Sequence, residues 1–288
     1  MILQEKAKQQ ETLRQFLRRQ WRFSSRLIKE LGREKKVFVE GKRRRMNYLL
    51  SPGVTVSVDL GWEKNTYAPY PREIDVLYED EAMMVLNKDP LFSVHPVGGY
   101  QTDTVLNAIA HYQLNNESDF KIRFAHRLDR DTSGALIVAK NKWIHEELSR
   151  QFREESVQKV YLALCHGSFQ GSFSVEGKIG LAEDGIHREF REDGKDSRTD
   201  FTALKTRPEV TLVEARPLTG RTHQIRVHLA SKGYPIVGDT LYGVQNRANR
   251  QMLHCHRLEL LHPLTREPFT VTAPLKEDFL QEMEKFKI

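Results

Sequence analysis

The sequence predicts an α+β fold: a large mixed, mostly antiparallel β-sheet domain with flanking helices, preceded by a small basic α/β module. Three observations predict it. Strand-like segments outnumber helical ones. The helical segments occur singly, without the regular strand–helix alternation that a parallel sheet needs. The charge is also divided. Residues 1–50 carry 15 Lys/Arg against 5 Asp/Glu, a net +10, whereas the remainder carries 30 against 34, a net −4. A basic head on a mildly acidic body suggests an appendage that binds polyanions.

The front module spans residues 1–66. Residues 1–20 have a few apolar positions (Leu3, Leu13, Phe16, Leu17) among polar ones, which predicts a weakly amphipathic helix or a loose tail. Ser24 or Ser25 caps a short helix through Leu31, and Gly32 ends it. Val37, Phe38 and Val39 form a short strand. Beyond a turn at Gly41, Val54, Val56, Val58 and Leu60 alternate with polar residues as in a half-buried strand. "TYAPYPREID", stiffened by Pro69 and Pro71, is the connector. The main domain then runs over 67–288. "IDVLYEDEAMMVLNK" reads as two strands around an acidic turn. "SVHPVGGYQTDTVLNAIAHY" reads as a glycine-rich loop and a helix capped by Thr102 or Asp103. "ALIVAK" is a buried strand, and Asn141 caps the helix "KWIHEELSRQF". "VQKVYLALCHG" is a strand with Val160, Leu162 and Leu164 on one face and Tyr161 and Ala163 on the other. Strands continue through "FSVEGKIG", "REFREDGKDSRTDFTALKT" and "EVTLVEARPLTG". "RTHQIRVHLASKG" is a helix closed by Gly233, "HCHRLELLHPLTREPFTVTAP" a hairpin, and "LKEDFLQEMEKFKI" a closing helix.

Composition excludes several classes. At 288 residues, 39% hydrophobic and 29% charged, the chain is globular. No apolar run approaches the ~20 residues of a membrane helix, and the amino terminus lacks the apolar stretch of a signal peptide. A cytoplasmic protein is expected, with no membrane partner. The two cysteines, Cys165 and Cys255, fit a reducing compartment. There is no GxxxxGK[ST] loop, and no CxxC pair. His254 and His256 share a strand face and could supply two metal ligands at most. His223 and His228, five apart, stack poorly for a helical zinc site. No metal site is expected.

Acid chemistry remains. In "HRLDRDTSGALIVAK", Asp129 lies between Arg127 and Arg130, just before a buried strand. Nearby cations favour the ionised carboxylate where burial would neutralise it, and such a carboxylate is a usable nucleophile or base. The alternative is an arginine–aspartate pair that merely seals a loop. Asp131 is a rival carboxylate, although in "DTSG" it reads as a turn residue. Gly134 permits close backbone approach. In "RPLTGRTHQIRVHLASKGYPIVGD", Arg221, His223 and Arg226 cluster at a helix start, a setting suited to anions. The apolar Ile225, Val227 and Leu229 imply that Arg226 is packed. A buried arginine needs an acid partner, and Asp129 is the candidate.

"HRLDRDTSG", "GRTHQIRVHL" and "YPIVGD", in that order, resemble the RluA-type pseudouridine synthases. The resemblance runs roughly from Ile74 to Leu275, and the front module resembles the alpha-L RNA-binding domain that many such enzymes carry. It implies conversion of uridine within RNA to pseudouridine: uracil is detached from ribose, rotated, and rejoined through carbon 5. Asp129 matches the catalytic aspartate, attacking the anomeric carbon or taking a proton from the 2′ carbon. Tyr161 matches the tyrosine that packs on uracil and helps remove the carbon 5 proton. Arg226 matches the basic partner of the aspartate, with Arg221 the other candidate. Arg127 matches the arginine that fills the space of the extruded nucleotide. Further RNA contacts are expected from Arg130, Arg221 and His223, and from Arg26, Lys29, Lys35, Lys36, Arg43, Arg44 and Arg45 of the basic head. The isomerisation needs no cofactor. The implied partner is structured RNA, ribosomal RNA ahead of transfer RNA, and the implied state is a monomer. Two rival readings are a non-catalytic RNA-binding or ribosome-assembly protein and a metal-dependent nuclease using Asp129 and Asp131.

Overall fold

A computed structural model describes residues 1–61, 63–96, 102–243 and 248–288. The front segment contains β1 (Ile2–Lys6), β2 (Glu11–Thr12), α1 (Leu13–Trp21), α2 (Ser25–Arg33), β3 (Val37–Val39), β4 (Lys42–Arg43), β5 (Leu49–Leu50) and β6 (Thr55–Asp59). Four of these strands form a sheet in the order β1-β6-β3-β4, and β2 pairs with β5. Two local expectations change. Residues 2–6 are a strand, paired with β6 across Leu3↔Val58, because that pairing buries Leu3 and leaves Gln4 and Lys6 outside. Helix α1 then starts at a capping box, in which the Thr12 side chain accepts from Gln15 N and the Gln15 side chain accepts from Thr12 N. Gly32 lies inside α2, which Ser24 caps and which runs on to Arg33. Gly32 faces the Met46 side chain, so its small size serves packing rather than termination.

The rest contains β7 (Val76–Glu79), β8 (Met83–Lys88), α3 (Val105–Asn115), β9 (Arg123–Phe124), β10 (Ser133–Ala139), α4 (Lys142–Arg153), β11 (Gln158–His166), β12 (Ser172–Leu181), β13 (Arg188–Phe190), β14 (Lys195–Thr206), β15 (Val210–Pro217), α5 (Gln224–Ser231), β16 (Leu253–Leu261), β17 (Pro268–Thr272) and α6 (Glu277–Lys285). An eleven-stranded sheet runs β13-β12-β14-β15-β11-β16-β10-β8-β7, with β17 on β16 and β9 on β10. Its described pairings are antiparallel except β10 with β16. This is the α+β architecture with a large, mostly antiparallel sheet. The glycine-rich loop "VGGYQ" lies outside the described residues. The helix after it is capped by Thr104 rather than Thr102 or Asp103, and the Thr104 hydroxyl is spent on Asn107.

One apolar cluster runs through the front segment, α3, α4, β8 and β10; a second gathers β11, β15, α5 and α6, and Tyr161 packs against both. The front segment is docked on α4. Trp143 Nε1 donates to Trp21 O at 3.0 Å, and the Phe23 and Trp143 rings meet edge to face. Two backbone features place the site. Gly134 has φ +110°, and a Cβ there would lie 2.3 Å from Cys255 O, so only glycine lets β10 approach β16 this closely. On the other side of β16 the register slips: Val160 faces Arg257, but Tyr161 faces Cys255, leaving His256 as a bulge. The start of β10 and the middle of β11 therefore flank Cys255.

Candidate active site

The loop before β10 turns tightly, with Thr132 N bonded to Asp129 O at 3.1 Å. Buried side chains hold its backbone. Lys88 Nζ donates to Arg130 O at 2.9 Å, and also to Asp89 O and Phe92 O. Arg250 Nη1 donates to Asp131 O, and Gln251 Nε2 to the Thr132 hydroxyl. Lys88 and Arg250 are each only 2% exposed. The Asp129 carboxylate projects into a cavity of about 570 Å³ whose wall includes Tyr161, Lys159, Arg221, His223 and Arg226. That volume suits a nucleoside-sized ligand.

The cations beside Asp129 are not its sequence neighbours. Arg127 and Arg130 are exposed, and Arg130 pairs with Asp131 at 3.5 Å. Both guanidiniums turn outward from the loop, so nearness in sequence does not become an ion pair with Asp129. The partner is Arg226, whose Nη1 donates to Asp129 Oδ2 at 3.3 Å. Arg221 does not compete, because its Nε donates to Asp196 O at 2.8 Å. Arg226 is buried as its helix pattern required, but its main acid partner is Asp239. Nε donates to Asp239 Oδ2 at 2.7 Å and Nη2 to Oδ1 at 2.8 Å. Burial opposes the Arg226 charge, yet the Asp239 pair outweighs it and raises the pKa above the ordinary value. Asp239 Oδ1 also accepts from Leu241 N and Tyr242 N. Arg226 is thus fixed from behind, with one N–H edge left for Asp129.

Tyr242 completes the backing. Its ring lies 5.0 Å from the Arg226 guanidinium, and its hydroxyl meets His223 Nδ1 at 2.8 Å and accepts from Arg188 N at 2.7 Å. His223 Nε2 lies 3.9 Å from Asp129 Oδ2. Helix α5 begins at Gln224, after His223, rather than at Arg221. His223 takes the left-handed conformation (φ +57°), which costs a non-glycine residue on the order of 1 kcal/mol. Burial lowers its pKa against the opposing pull of Asp129.

Burial also pushes the Tyr161 phenol well above 10, with the Cys255 thiol beside it. The thiol itself is raised to about 12 by burial. Both are neutral near pH 7. The site therefore offers one carboxylate held by a shared guanidinium, a neutral phenol and a rim of cations, the makings of general-base or nucleophilic chemistry on a neutral ligand. His254 and His256 lie elsewhere and both bond Ala273 O.

The match with known proteins follows this geometry. The model of the RNA pseudouridylate synthase family matches residues 82–231. The chain belongs to that family. It is 37% identical over 242 residues to the uncharacterized RNA pseudouridine synthase YhcT of Bacillus subtilis, covering 81% of this chain and 79% of that one. It is 34% identical over 281 residues to ribosomal large subunit pseudouridine synthase C of Vibrio vulnificus, covering 91% and 88%. The solved structure of human RNA pseudouridylate synthase domain containing 1 aligns with TM-score 0.61 and 30% identity, over 73% of this chain and 86% of that one. This pseudouridine synthase thus carries its Asp129 motif, Tyr161 and Arg226 within the matched span.

Sequence reasoning assigned no role to Asp239, Tyr242, Lys88 or Arg250. Only Asp239 left a usable signal. It ends "YPIVGD", and a buried arginine thirteen residues before it needed a fuller acid partner than the half-exposed Asp129. Of the front-module cations, Arg26, Lys29, Lys35, Arg43, Arg44 and Arg45 are exposed. Lys36 is instead partly buried and paired with Glu34 at 2.8 Å.

Proposed function

We propose that the chain converts uridines of ribosomal large-subunit RNA to pseudouridine, with Asp129 acting on the ribose, Tyr161 packing on the uracil and Arg226 orienting the aspartate. The observation that carries this reading is the Asp129 carboxylate in a nucleoside-sized cavity, joined to an arginine that Asp239 immobilises. A stacked uridine must leave its helix to reach that cavity. Arg127, exposed at the rim, fills the vacated space, and Arg130, Arg221 and His223 contact the flanking backbone. Asp129 attacks the anomeric carbon or takes the 2′ proton; either step needs its ionised form. Because the phenol of Tyr161 is neutral, its contribution is to hold the base by packing rather than to serve as a standing phenolate.

The large-subunit target is favoured by the relatives named ribosomal large subunit pseudouridine synthases C and D. Transfer RNA is the other outcome of the test. Residues 1–66 serve as an alpha-L-like RNA-binding domain and 67–288 as the catalytic domain. The front cations bind phosphate without reading bases. The enzyme works as a monomer in the cytoplasm; among the described residues no helix is long and apolar enough to cross a membrane.

The test is to map pseudouridine in total RNA from cells with and without this protein, then restore either the wild-type chain or Asp129→Asn. The expected result is loss of specific large-subunit sites, recovered by wild type and not by the variant. Sites lost only from transfer RNA would overturn the substrate assignment. Recovery by Asp129→Asn would overturn the catalytic one.

A further inference from the structure

The cavity holds a half-buried cation that the reading above leaves unused. Lys159 stands two residues before Tyr161 on β11, so the two side chains share a strand face, and both line the cavity. Its Nζ donates to Thr219 O at 3.2 Å. Among the described residues no carboxylate lies within ion-pair distance of it, and Glu155 acts on it only from further away. The other cavity cations are committed or exposed. Arg226 is divided between Asp239 and Asp129, Arg221 is bonded to Asp196 O, and Arg127 and Arg153 are exposed. Burial lowers the Lys159 pKa, the mark of a charge short of compensation. A half-buried ammonium with a single carbonyl acceptor has N–H groups to spare for a ligand.

The reaction creates a negative charge on the detached base. Whether Asp129 attacks the anomeric carbon or removes the 2′ proton, the bond from that carbon to uracil N1 breaks and its electron pair leaves with the base. The charge spreads over N1, O2 and O4. When carbon 5 bonds to the anomeric carbon, the ester bond to Asp129 breaks, or in the second route Asp129 returns its proton to the 2′ carbon. Either way the base loses its charge and the carboxylate is restored, after which carbon 5 loses its proton and N1 gains one. Tyr161, a neutral phenol, packs on the base but offers it no positive charge. We propose that the Lys159 ammonium stabilises the uracil anion while the base is detached, keeping its own proton throughout. A cation fixed in place before the bond breaks needs no reorganisation when the charge appears, which is where electrostatic stabilisation is most effective.

This inference rests on the proposed roles of Asp129 and Tyr161, and its test separates the two. On the RNA identified by the mapping experiment, single-turnover kinetics compare wild type with Lys159→Gln and Lys159→Arg, with thermal melting to verify folding. Lys159→Met replaces the glutamine variant if that one does not fold. The expected result is a kcat about 100-fold lower for Lys159→Gln at unchanged KM, partly restored in Lys159→Arg. Transcripts made with 5-fluorouridine carry a more acidic base, hence a better leaving group. Disappearance of the fluorinated nucleoside in them should show a several-fold smaller penalty. Without any RNA, 5-nitrouracil, which ionises readily, should bind wild type better than uracil does, and Lys159→Gln should erase that preference. A raised KM with weakened salt dependence at normal kcat would make Lys159 a phosphate contact and overturn the proposal. Equal penalties on both RNAs, or an unchanged nitrouracil preference, would overturn it too. A wild-type chain that modifies no uridine would defeat the proposed function, while the nitrouracil titration would still decide the role of Lys159.

Discussion

Asp129 gains its surroundings from residues far along the chain, and single substitutions there should show it. Arg226 reaches Asp129 with one edge because Asp239 holds the other two nitrogens. Asp239→Asn keeps the shape but removes the charge that compensates a buried guanidinium. Breaking such a pair costs about 3–5 kcal/mol, so denaturant unfolding should show a loss of that order. Arg226 would then turn fully to Asp129, and kcat should fall more than KM rises. A variant as stable and active as wild type would contradict the shared-arginine arrangement. Gly134→Ala tests the backbone in the same way. With φ +110° and Cys255 O only 2.3 Å from the added Cβ, the loss should be on the order of 3 kcal/mol, visible as poor expression or a lowered melting temperature. That Asp129, Tyr161 and Arg226 would meet was legible in the sequence because short motifs carry them, and all three line one cavity. The pairing of Arg226 with Asp239 was only half legible. Sequence says that a packed arginine needs an acid, and the strand and turn geometry decides which one.

At the scale of elements, the loop that carries Asp129 is latched by the carboxy-terminal helix. Arg250 donates to Asp278 at the start of α6 through Nε (2.6 Å) and Nη2 (2.9 Å), while its Nη1 reaches Asp131 O. Burial works to raise the Asp278 pKa, but the Arg250 pair prevails and holds it below the ordinary value. Asp278→Asn loosens Arg250 and with it the turn that aims Asp129. Misplacing a reacting group slightly can cost up to about 100-fold, so kcat should drop by tenfold or more in that range, with RNA affinity retained. A fall in affinity with normal kcat would show that α6 serves binding instead. The order and type of the longer elements could be read from periodicity and caps, whereas the two-residue strands β2, β4, β5 and β9 could not. The latch could not, because Arg250 and Asp278 sit at element edges where no repeating pattern marks a partner. The first strand was missed for a related reason: five residues with two apolar ones carry too little periodicity, and only pairing with β6 makes them a strand.

Across the whole molecule, burial has placed three histidines where they must stay neutral: His126 at about 3, and His228 and His254 at about 4. Each is lowered chiefly by desolvation from an ordinary value of 6.5. His126 Nε2 accepts from Ile137 N, which protonation would forbid. Between pH 6.5 and 4 the unfolded chain binds more protons than the folded one, so stability falls as pH falls through that window. Three such groups give a slope of up to about 4 kcal/mol per pH unit near its lower end. Urea midpoints at pH 7 and pH 5 should differ clearly, and equal midpoints would mean that these side chains titrate freely. The uneven charge leads to a separate expectation for binding. The patch at Arg43, Arg44 and Arg45 is exposed, with Arg43 over Phe38 and Arg44 over Tyr48. These rings support the guanidiniums without neutralising them. Because the front segment is docked on α4 rather than hanging from a linker, the patch has a defined position relative to the Asp129 cavity. Replacing all three arginines with alanine should weaken RNA binding and reduce the slope of log affinity against log salt by about 2–3. Single-turnover kcat at saturating RNA should be unchanged, since none of the three lines the cavity. An unchanged salt slope would show that RNA approaches the cavity over a different face, and a reduced kcat would show that the patch helps deliver the uridine to Asp129.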